Sequence, residues 1–591
     1  MKNLIKSIIG VVGLVNAAGL DQTETNGNSL LGTFDAPVLS ALPGSTWGEK
    51  TLETTNVYKN SPNTGKLRKY NFDISRGLLA PDGVNASLIL VNGAFPGPTI
   101  EANWGDTFQI TVNNKIEGPE AGTSLHWHGL LQHETPWMDG VPSVTQCPIA
   151  PGQSFTYTFK ADRPGTSWWH SHYAAQTAGG LHGAMIIHGP IPAGVTYDYD
   201  LGPVLLSDHY FIDYRELLQG YLSVPLDLIF SDNNLINGKG QFDCSKTNRT
   251  CTPNAGYSKF RFRSGKTHLL RLINTSAEGL QHFTIDGHSF QVIEFDFVPI
   301  KRFTTSKVTL SPGQRANILV KGIGKPNSSY WVRSDIDAVC AAPSQPHALA
   351  QIYYENSDIT KAPNTNATPY TAIGCGTDPL ASTVPLYPIA PPANPSTRKD
   401  LDITLGFNQT GFLQWYMNNV TFRADMNLAL LSAVNNGTEY FGVPEWNVWD
   451  FGSNSSIRML MRNYHISPHP MHLHGHDFWI LAEGHGDWDG KIVNPGNPIR
   501  RDTHQLLPMD AENRPGYAVI EWVQDNPGVW AFHCHIFSHL SLGFYINVLE
   551  RPDDVQNFDI PDSVQNTCVQ WNAYASKNVV DQPDAGLKNR K

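Results

Sequence analysis

The feature that most constrains this chain is the run FHCHIFSHLSLGF at 532–544, in which one cysteine stands between two histidines. In an extended strand successive side chains point to opposite faces, so His533 and His535 lie on one face and Cys534 on the other. A thiolate combined with imidazoles is a donor set that copper prefers, so one strand can contribute to two metal sites. The alternative interpretation is a buried free cysteine beside structural histidines.

Three further histidine pairs at the same spacing favour the metal interpretation. They are His126 and His128 in LHWHGLLQ, His170 and His172 in WWHSHYAAQ, and His472 and His474 in HPMHLHGH, the last preceded by His469. The chain has 22 histidines in 591 residues, for which chance alone gives roughly one such pair. Structural zinc takes four ligands in which thiolates dominate, whereas here the histidines far outnumber the one relevant cysteine.

These four segments resemble the four copper-binding motifs of the multicopper oxidases, most closely those of fungal laccases of the ascomycete type. The resemblance covers the chain from Asn63 to the C-terminus and implies four copper ions: one type 1, one type 2 and two type 3. It assigns the type 1 copper to His469, Cys534 and His539, and the type 2 copper to His126 and His472. It assigns one type 3 copper to His128, His170 and His535, and the other to His172, His474 and His533.

Length and composition predict several β-rich domains. A chain of 591 residues is too long for one hydrophobic core, and only 16% of its residues are charged. Runs such as LILVNGAFPGPTIEANWGDTFQITVNN alternate apolar and polar residues between Gly and Pro turns. With the resemblance, this predicts an all-β fold of three consecutive cupredoxin-like Greek-key β-sandwich domains. The expected segments are a signal peptide (1–19), an N-terminal lead (20–62), domain 1 with copper ligands (63–190), domain 2 without copper (197–360), a linker (361–400), domain 3 with the type 1 copper (401–560) and a tail (561–591).

The assigned ligands imply where the cluster lies. The eight type 2 and type 3 histidines come half from domain 1 and half from domain 3, so the cluster is expected between these domains. Domain 2 would serve as a spacer and as one wall of the substrate groove. Electrons would enter at the type 1 copper and pass from Cys534 through His533 and His535 to the cluster.

The N-terminus and the sequons predict a secreted, extracellular glycoprotein. Two lysines precede a short apolar run and small residues around Ala17 to Gly19, which is typical of a secretory signal peptide; a membrane anchor is the alternative. The net charge of -11 argues against nucleic acid or an anionic membrane as partner. The sequons include Asn85, Asn248, Asn274, Asn327, Asn408, Asn436 and Asn454.

Seven cysteines are an odd count, and copper ligation at Cys534 explains the unpaired one. Loop proximity favours disulfides between Cys244 and Cys251 and between Cys340 and Cys375. Cys147 and Cys568 then tie domain 1 to the tail, a pairing that the resemblance also implies. The N-terminal cysteine pair usual in the family is missing, and the Cys244–Cys251 loop departs from the family pattern.

Two further residues matter at the copper sites. Asp139, in PWMDGVPSVTQCP, occupies the place where the family has an acid beside the type 2 copper, so it is the candidate proton donor to oxygen. The alternative is a turn aspartate in an Asp-Gly pair. The resemblance places Phe544 at the axial position of the type 1 site; a purely structural role in the core is the alternative. Phenylalanine cannot coordinate, and loss of an axial thioether makes the site a stronger oxidant.

Two assignments lie elsewhere in the chain. Asp232, in SDNNLINGKG, falls where laccases carry the acid that accepts the phenol proton; a loop-capping role is the alternative, with Asp243 as the fallback. The segment from Asp584 to Leu587 resembles the C-terminal plug of ascomycete laccases, which implies removal of residues 588–591. A disordered tail is the alternative.

Together these observations predict a monomeric laccase that oxidises small phenols one electron at a time and reduces O2 to two waters. A ferroxidase would need acidic residues around His539, and an ascorbate oxidase would be expected to carry an axial methionine. A non-catalytic copper-binding extracellular matrix protein is the alternative from another class, against which the complete ligand set argues. The physiological role, whether lignin degradation, pigment formation or detoxification, stays open.

Overall fold

The computed structural model describes residues 30–31, 47–117, 122–223, 229–372, 374–409, 411–438 and 443–575. Within these residues the chain is mostly β, and six sheets form three consecutive sandwiches, which confirms the predicted fold class. One continuous apolar core extends from the first sandwich into the third. The predicted signal peptide and the predicted plug lie outside the described residues. Strands are numbered in chain order from β1 (Leu30–Leu31), which pairs with the second sandwich.

The first sandwich has eight strands: β2 (Leu67–Leu79), β3 (Ala86–Val91), β4 (Ile100–Asn103), β5 (Thr107–Asn114), β6 (Leu125–Trp127), β7 (Ser154–Lys160), β8 (Gly165–Ser171) and β9 (His182–His188). Its two sheets have the orders β3-β2-β5-β7 and β4-β9-β8-β6. Along β5 the side chains alternate between half-buried and buried, as the sequence alternation predicts. Strand β8 is buried throughout and pairs with β6, so His170 lies opposite His126.

The second sandwich has eleven strands of its own: β10 (Tyr199–His209), β11 (Asn233–Ile236), β12 (Ser258–Arg261), β13 (Thr267–Asn274), β14 (Gln281–Ile285), β15 (Phe290–Phe295), β16 (Val298–Thr305), β17 (Lys307–Leu310), β18 (Arg315–Lys321), β19 (Ser329–Ile336) and β20 (His347–Tyr353). Its sheets have the orders β1-β12-β20-β19-β14-β17 and β11-β10-β13-β18-β15-β16. The β1 and β12 strands run parallel.

The third sandwich also has eleven strands: β21 (Thr397–Phe407), β22 (Leu413–Met417), β23 (Val448–Asp450), β24 (Ser456–Asn463), β25 (His469–Leu473), β26 (Phe478–His485), β27 (Arg500–Arg501), β28 (Thr503–Leu506), β29 (Gly516–Val523), β30 (Gly528–Cys534) and β31 (Tyr545–Glu550). Its sheets have the orders β22-β21-β24-β29-β26-β27 and β23-β31-β30-β25-β28. Strand β21 begins four residues before the predicted start of domain 3, within the predicted linker.

The described residues also contain five helices and four 3-10 turns, and the last two helices follow the last strand. The helices are α1 (Tyr214–Tyr221), α2 (Leu430–Asn435), α3 (Phe537–Ser541), α4 (Pro552–Val555) and α5 (Asp562–Ala575); the 3-10 turns are Pro136–Met138, Cys244–Lys246, Leu380–Ser382 and Pro444–Trp446. Helix α5 was not predicted, although Val564, Thr567 and Trp571 follow helical spacing and are the residues it buries. None of the described helices is long and apolar enough to cross a membrane.

The N-terminal lead is partly built into the fold. Residues 47–62 of the lead pack against the domains: Leu52 is buried, and Trp47, Val57 and Tyr58 are half-buried. The Tyr58 hydroxyl donates a hydrogen bond to Asp477 Oδ2 at 2.7 Å. The Tyr58 ring lies beneath the guanidinium groups of Arg163 and Arg500, at 5.0 and 5.8 Å. This segment therefore helps to join the first and third domains.

The three predicted disulfides are present, and Cys534 is free and buried. One sequon does not fit the glycosylation prediction. The Asn274 side chain is fully buried, and its amide donates hydrogen bonds to the carbonyl oxygens of Gly279 and Leu310, both at 2.8 Å. A side chain held in this way is inaccessible for attachment of a glycan in the folded protein, whereas Asn85 and Asn454 are exposed.

The Cys147–Cys568 disulfide fastens α5 to the first domain across 421 residues of sequence. We expect the double variant Cys147→Ala/Cys568→Ala to lower the free energy of unfolding by about 3–5 kcal/mol, because the bridge restricts a very long loop of the unfolded chain. Thermal unfolding followed by circular dichroism measures the loss. The matched control is Cys244→Ala/Cys251→Ala, whose bridge spans only 7 residues. An equal or larger loss in the control would contradict the loop-length argument.

Candidate metal centre

The first group of donors, called the thiolate group, consists of His469, Cys534 and His539. His469 begins β25, Cys534 ends β30, and His539 lies in α3. Cys534 Sγ lies 3.7 Å from His469 Nδ1 and 3.4 Å from His539 Nδ1, and the two Nδ1 atoms are 3.2 Å apart. Burial raises the pKa of the Cys534 thiol, so a metal that binds here must displace its proton. His539 is the half-buried member of the group.

Aromatic side chains enclose the thiolate group. Phe544 lies 4.8 Å from the His469 ring and 6.4 Å from the His539 ring, between centroids. Trp415 contacts the same two imidazoles at 4.6 and 4.7 Å. Phe544 is fully buried and offers no donor atom, so it presents an apolar wall to the three donors. This placement is compatible with the axial position assigned from the sequence.

The remaining eight histidines, called the histidine cluster, meet between the first and third sandwiches. Their ring nitrogens converge in small sets whose members lie within 4.8 Å of one another. The sets are His126 with His128 and His472; His128 with His170 and His535; and His172 with His474 and His533. These sets bring together the residues that the sequence assigned to the type 2 copper and to the two type 3 coppers. Strand β30 joins both groups, because Cys534 follows His533 directly and precedes His535.

Most imidazoles of the histidine cluster form a hydrogen bond to the protein through one ring nitrogen, which leaves the other nitrogen available to a metal. The Nδ1 atoms donate to carbonyl or carboxylate oxygens at 2.8–3.0 Å in His126, His170, His472, His474 and His533. Among the described residues, Nε2 of His126, His170 and His472 is buried without a hydrogen-bond partner. The Nε2 atoms of His172 and His474 lie 3.3 and 3.1 Å from that of His533. Buried nitrogens with free lone pairs facing one another fit a cluster of copper ions.

Burial favours the neutral state that binds metal for seven imidazoles of the histidine cluster and for His539. It lowers the pKa of His533 to about 4, and that of His539 to about 3. Burial, together with repulsion from neighbouring imidazoles, lowers the pKa well below the ordinary value for His128, His170, His172, His472, His474 and His535.

Two buried aspartates hold the histidine cluster. Asp139 Oδ2 accepts a hydrogen bond from His474 Nδ1 at 2.8 Å, and the Asp139 carbonyl accepts one from His126 Nδ1 at 2.9 Å. Asp502 Oδ1 lies 3.1 Å from His128 Nε2, and Arg315 donates to both Asp502 oxygens at 2.8 and 2.7 Å. Asp139 therefore contacts His126, which the resemblance assigns to the type 2 copper, and its role in proton delivery stays a prediction. Asp502 was not predicted, because the run RRD carries no recognisable motif.

Glu278, from the second domain, approaches the thiolate group on the side of α3. The preceding carbonyl, of Ala277, accepts a hydrogen bond from Phe537 N in α3 at 3.1 Å. The Glu278 carboxylate adds to the rise in the Cys534 pKa that burial causes. Burial, and then repulsion from Asp208, raises the pKa of Glu278 itself to about 7. Sequence reasoning missed this residue, since only the turn between β13 and β14 brings it to α3.

Asp232 has the contacts of a loop cap. Its Oδ2 accepts a hydrogen bond from Phe211 N at 2.7 Å, and burial raises its pKa. The charged groups that act on it are Arg249 and Asp82. The fallback residue Asp243 caps a 3-10 turn by accepting from Ser245 N at 3.1 Å. Of these three acids, Glu278 is connected most directly to α3, because the carbonyl of the preceding residue accepts a hydrogen bond from that helix.

Comparison with known proteins agrees with this geometry. Family models described as multicopper oxidase match residues 73–191, 200–357 and 407–554. Laccase-1 of Botryotinia fuckeliana is 35% identical, covering 93% of this chain and 93% of its own. Dihydrogeodin oxidase of Aspergillus terreus is 34% identical, covering 88% and 89%. The crystal structure of a laccase from Botrytis aclada matches with a TM-score of 0.82 and 32% identity, covering 92% of this chain and 98% of that one.

Proposed function

Because the chain belongs to the multicopper oxidase family, we propose that it is a laccase, which takes single electrons from phenols and reduces O2 to two waters. One observation carries the proposal. Cys534 belongs to the thiolate group, while its two neighbours along the chain belong to the histidine cluster. The site where single electrons enter is thereby connected by covalent bonds to a site that can bind several metal ions.

The residues present fit four copper ions. We assign the type 1 copper to the thiolate group and the other three to the sets of the histidine cluster, with His126 and His472 on the type 2 copper. When bound, the copper ions supply one-electron redox chemistry and together hold the four electrons that O2 reduction requires. The protein fixes the ligands, since each Nδ1 that donates to an oxygen orients its imidazole toward the cluster.

The chain itself offers two connections for electron transfer from the thiolate group. One runs along the peptide bonds from Cys534 to His533 and to His535. The other is the hydrogen bond from His533 Nδ1 to the Cys534 carbonyl oxygen, at 2.9 Å. Strand β25 supports both, because Met471 and His472 pair with Cys534 and His533. The route is short and rigid.

Glu278 is our candidate for accepting the phenol proton on the side of α3, the helix that contains His539. Phenol oxidation releases a proton, and a carboxylate with a pKa of about 7 can accept one near neutral pH. Asp208 is less suited, because its oxygens accept hydrogen bonds from the backbone N–H groups of Ala277, Glu278 and Gly279 at 2.8–3.0 Å. Among the described residues, Glu278 is the one available acid that we find near α3, and a single acid is a poor site for Fe(II), which disfavours a ferroxidase. Phe544 in place of methionine disfavours an ascorbate oxidase.

We expect Glu278→Gln to lower kcat/KM for phenols about 10- to 100-fold above pH 7, because the amide cannot accept a proton. In the wild type, Glu278 is protonated below about pH 7 and ionised above it. Phenol turnover should therefore rise as the pH increases through 7, and the variant should lose this rise. Steady-state rates across pH measure it, with ferrocyanide, which releases no proton, as the control substrate. Asp232→Asn is the matched variant; a larger effect there would return the role to Asp232.

Oxygen uptake distinguishes the alternative functions. A methoxyphenol, ascorbate and Fe(II) are compared side by side with the purified, copper-loaded protein. A laccase consumes oxygen fastest with the phenol. Uptake with Fe(II) alone would contradict the proposal, and no uptake with any donor would favour a copper-binding matrix protein. We further propose that the protein is secreted, which three disulfides in the described chain support; that it is monomeric stays a prediction.

A further inference from the structure

A histidine that the copper assignment does not use lies beside the thiolate group. The His465 ring packs edge-to-face against Trp415, with ring centroids 5.1 Å apart. The same indole contacts the imidazoles of His469 and His539, at 4.6 and 4.7 Å. His465 and His539 are both half-buried. A molecule that docks at His539 and extends beyond one aromatic ring can therefore contact His465 as well.

The turn that carries His465 is held rigidly between β24 and β25. Asn463 Oδ1 accepts a hydrogen bond from His465 N at 3.0 Å, and the Asn463 amide donates to the Ser467 carbonyl oxygen at 2.8 Å. The His465 carbonyl oxygen accepts a further hydrogen bond from Met509 N at 2.7 Å. Because its backbone is fixed and its ring packs against Trp415, the His465 side chain loses little entropy when it binds a ligand.

One hydrogen bond fixes which nitrogen of His465 carries the ring proton. The backbone N–H of Ser467 donates to His465 Nδ1 at 3.1 Å, so Nδ1 is the acceptor and the proton is on Nε2. Nε2 makes no hydrogen bond to the described chain, and it is not one of the buried atoms that lack a partner. The ring therefore offers one accessible N–H donor, and no free acceptor, to a molecule at this surface.

Exposed aromatic and aliphatic side chains flank this donor. Tyr464 and Ile466, its two neighbours in the sequence, are both exposed. Arg462, the preceding basic residue on β24, is paired with Asp400 and Asp402 at 3.0 and 2.6 Å. A single N–H between apolar side chains matches an uncharged acceptor such as a carbonyl oxygen better than a carboxylate, whose desolvation requires a cation.

We propose that His465 selects uncharged phenols that carry a carbonyl group, by donating a hydrogen bond from Nε2 to the carbonyl oxygen while the phenol docks at His539. His465 is thus a specificity-determining residue, which binds the substrate and takes no part in electron transfer. The proposal deepens the laccase function proposed above, because it rests on the docking of phenols at His539. It involves neither copper binding by His465 nor a change in its protonation.

A matched pair of substrates isolates this hydrogen bond. Acetosyringone carries a ketone para to its phenol, and its ethyl analogue has the same ring with CH2 in place of the carbonyl. Titration calorimetry measures the Kd of each compound with the holoenzyme reduced by dithionite without air, which oxidises neither. We expect His465→Phe, which keeps an aromatic ring against Trp415, to weaken binding of the ketone about 5- to 10-fold. Binding of the ethyl analogue should change less than about 2-fold.

Two further variants serve as controls. His465→Gln restores an N–H donor of similar reach and should recover most of the ketone affinity. His347→Phe, at an exposed histidine of the second domain, should change the affinity for neither compound. Equal losses for both compounds in His465→Phe, an unchanged ketone affinity, or no measurable binding of the ketone to the wild type would each overturn the proposal.

A measurement on the wild type keeps the test independent of how the variants fold. The infrared carbonyl stretch of bound acetosyringone should lie below that of the ketone in an apolar solvent, because a hydrogen bond weakens the C=O bond. An unshifted band would overturn the proposal.

Turnover separates this proposal from the proposed function. The loss in His465→Phe should appear in KM for the ketone, with kcat nearly unchanged. A fall in kcat with unchanged KM would overturn the binding role. A protein that binds the ketone through His465 but oxidises no phenol would contradict the laccase function and support the proposed selectivity.

Discussion

Cys534→Ser should abolish both the blue absorption band and phenol turnover, with kcat/KM falling more than about 1,000-fold. Serine preserves the size of the side chain but supplies no thiolate, so the thiolate group loses the ligand that gives copper its strong visible absorption and its connection to the cluster. The three copper ions of the histidine cluster should stay, because none of its nitrogens is changed. Visible absorption, copper content and oxygen uptake with a methoxyphenol measure the three effects.

The matched control is Met471→Leu. Met471 lies opposite Cys534 on β25 and is fully buried, but it does not belong to the thiolate group. Removing its sulfur should leave the band and the turnover nearly unchanged. Phenol turnover retained in Cys534→Ser would contradict the proposed electron route, and loss of the band in Met471→Leu would show that general damage to the site explains the result.

Asp139→Asn should slow reoxidation of the reduced enzyme by O2 about 100-fold. Asparagine has the same shape and can still accept the hydrogen bond from His474 Nδ1, but it cannot deliver a proton. Reduction of the thiolate site by a phenol under anaerobic conditions should be unaffected, since that step involves Glu278 and His539. Stopped-flow absorption separates the two half-reactions.

The conservative variant Asp139→Glu restores a carboxylate and should recover part of the reoxidation rate. Copper content must be measured in both variants, because Asp139 also orients His126 and His474. Equal copper content with an unchanged rate in Asp139→Asn would contradict the role in proton delivery. Slow reoxidation that Glu does not relieve would instead indicate a purely structural role for the hydrogen bond to His474.

The four histidine pairs could be found from the sequence, because their pattern is local. Histidines at i and i+2 on a strand share a face, and a cysteine between two of them necessarily reaches the other face. The four segments could therefore be recognised in the sequence, whereas their assignment to individual copper ions came from the resemblance to the multicopper oxidases. The all-β class followed from alternation such as that of β5, which the structure confirms.

Features that depend on contacts between domains could not be predicted in this way. Glu278 reaches α3 only because two domains pack together, and Asp502 is held by Arg315 from another domain. The lead around Tyr58 looks polar in sequence, yet Arg163 and Asp477 give it partners. Helix α5 is different, since the helical spacing of Val564, Thr567 and Trp571 is present in the sequence, but the segment was predicted only as a tail.

The stoichiometry of oxygen consumption tests the central claim most directly, namely that single electrons enter at Cys534 and accumulate at the histidine cluster. The measurement records moles of phenol oxidised per mole of O2 consumed by copper-loaded protein, with a parallel assay for hydrogen peroxide. The account predicts four one-electron oxidations per O2 and no peroxide. Two oxidations per O2 with one peroxide released would contradict it.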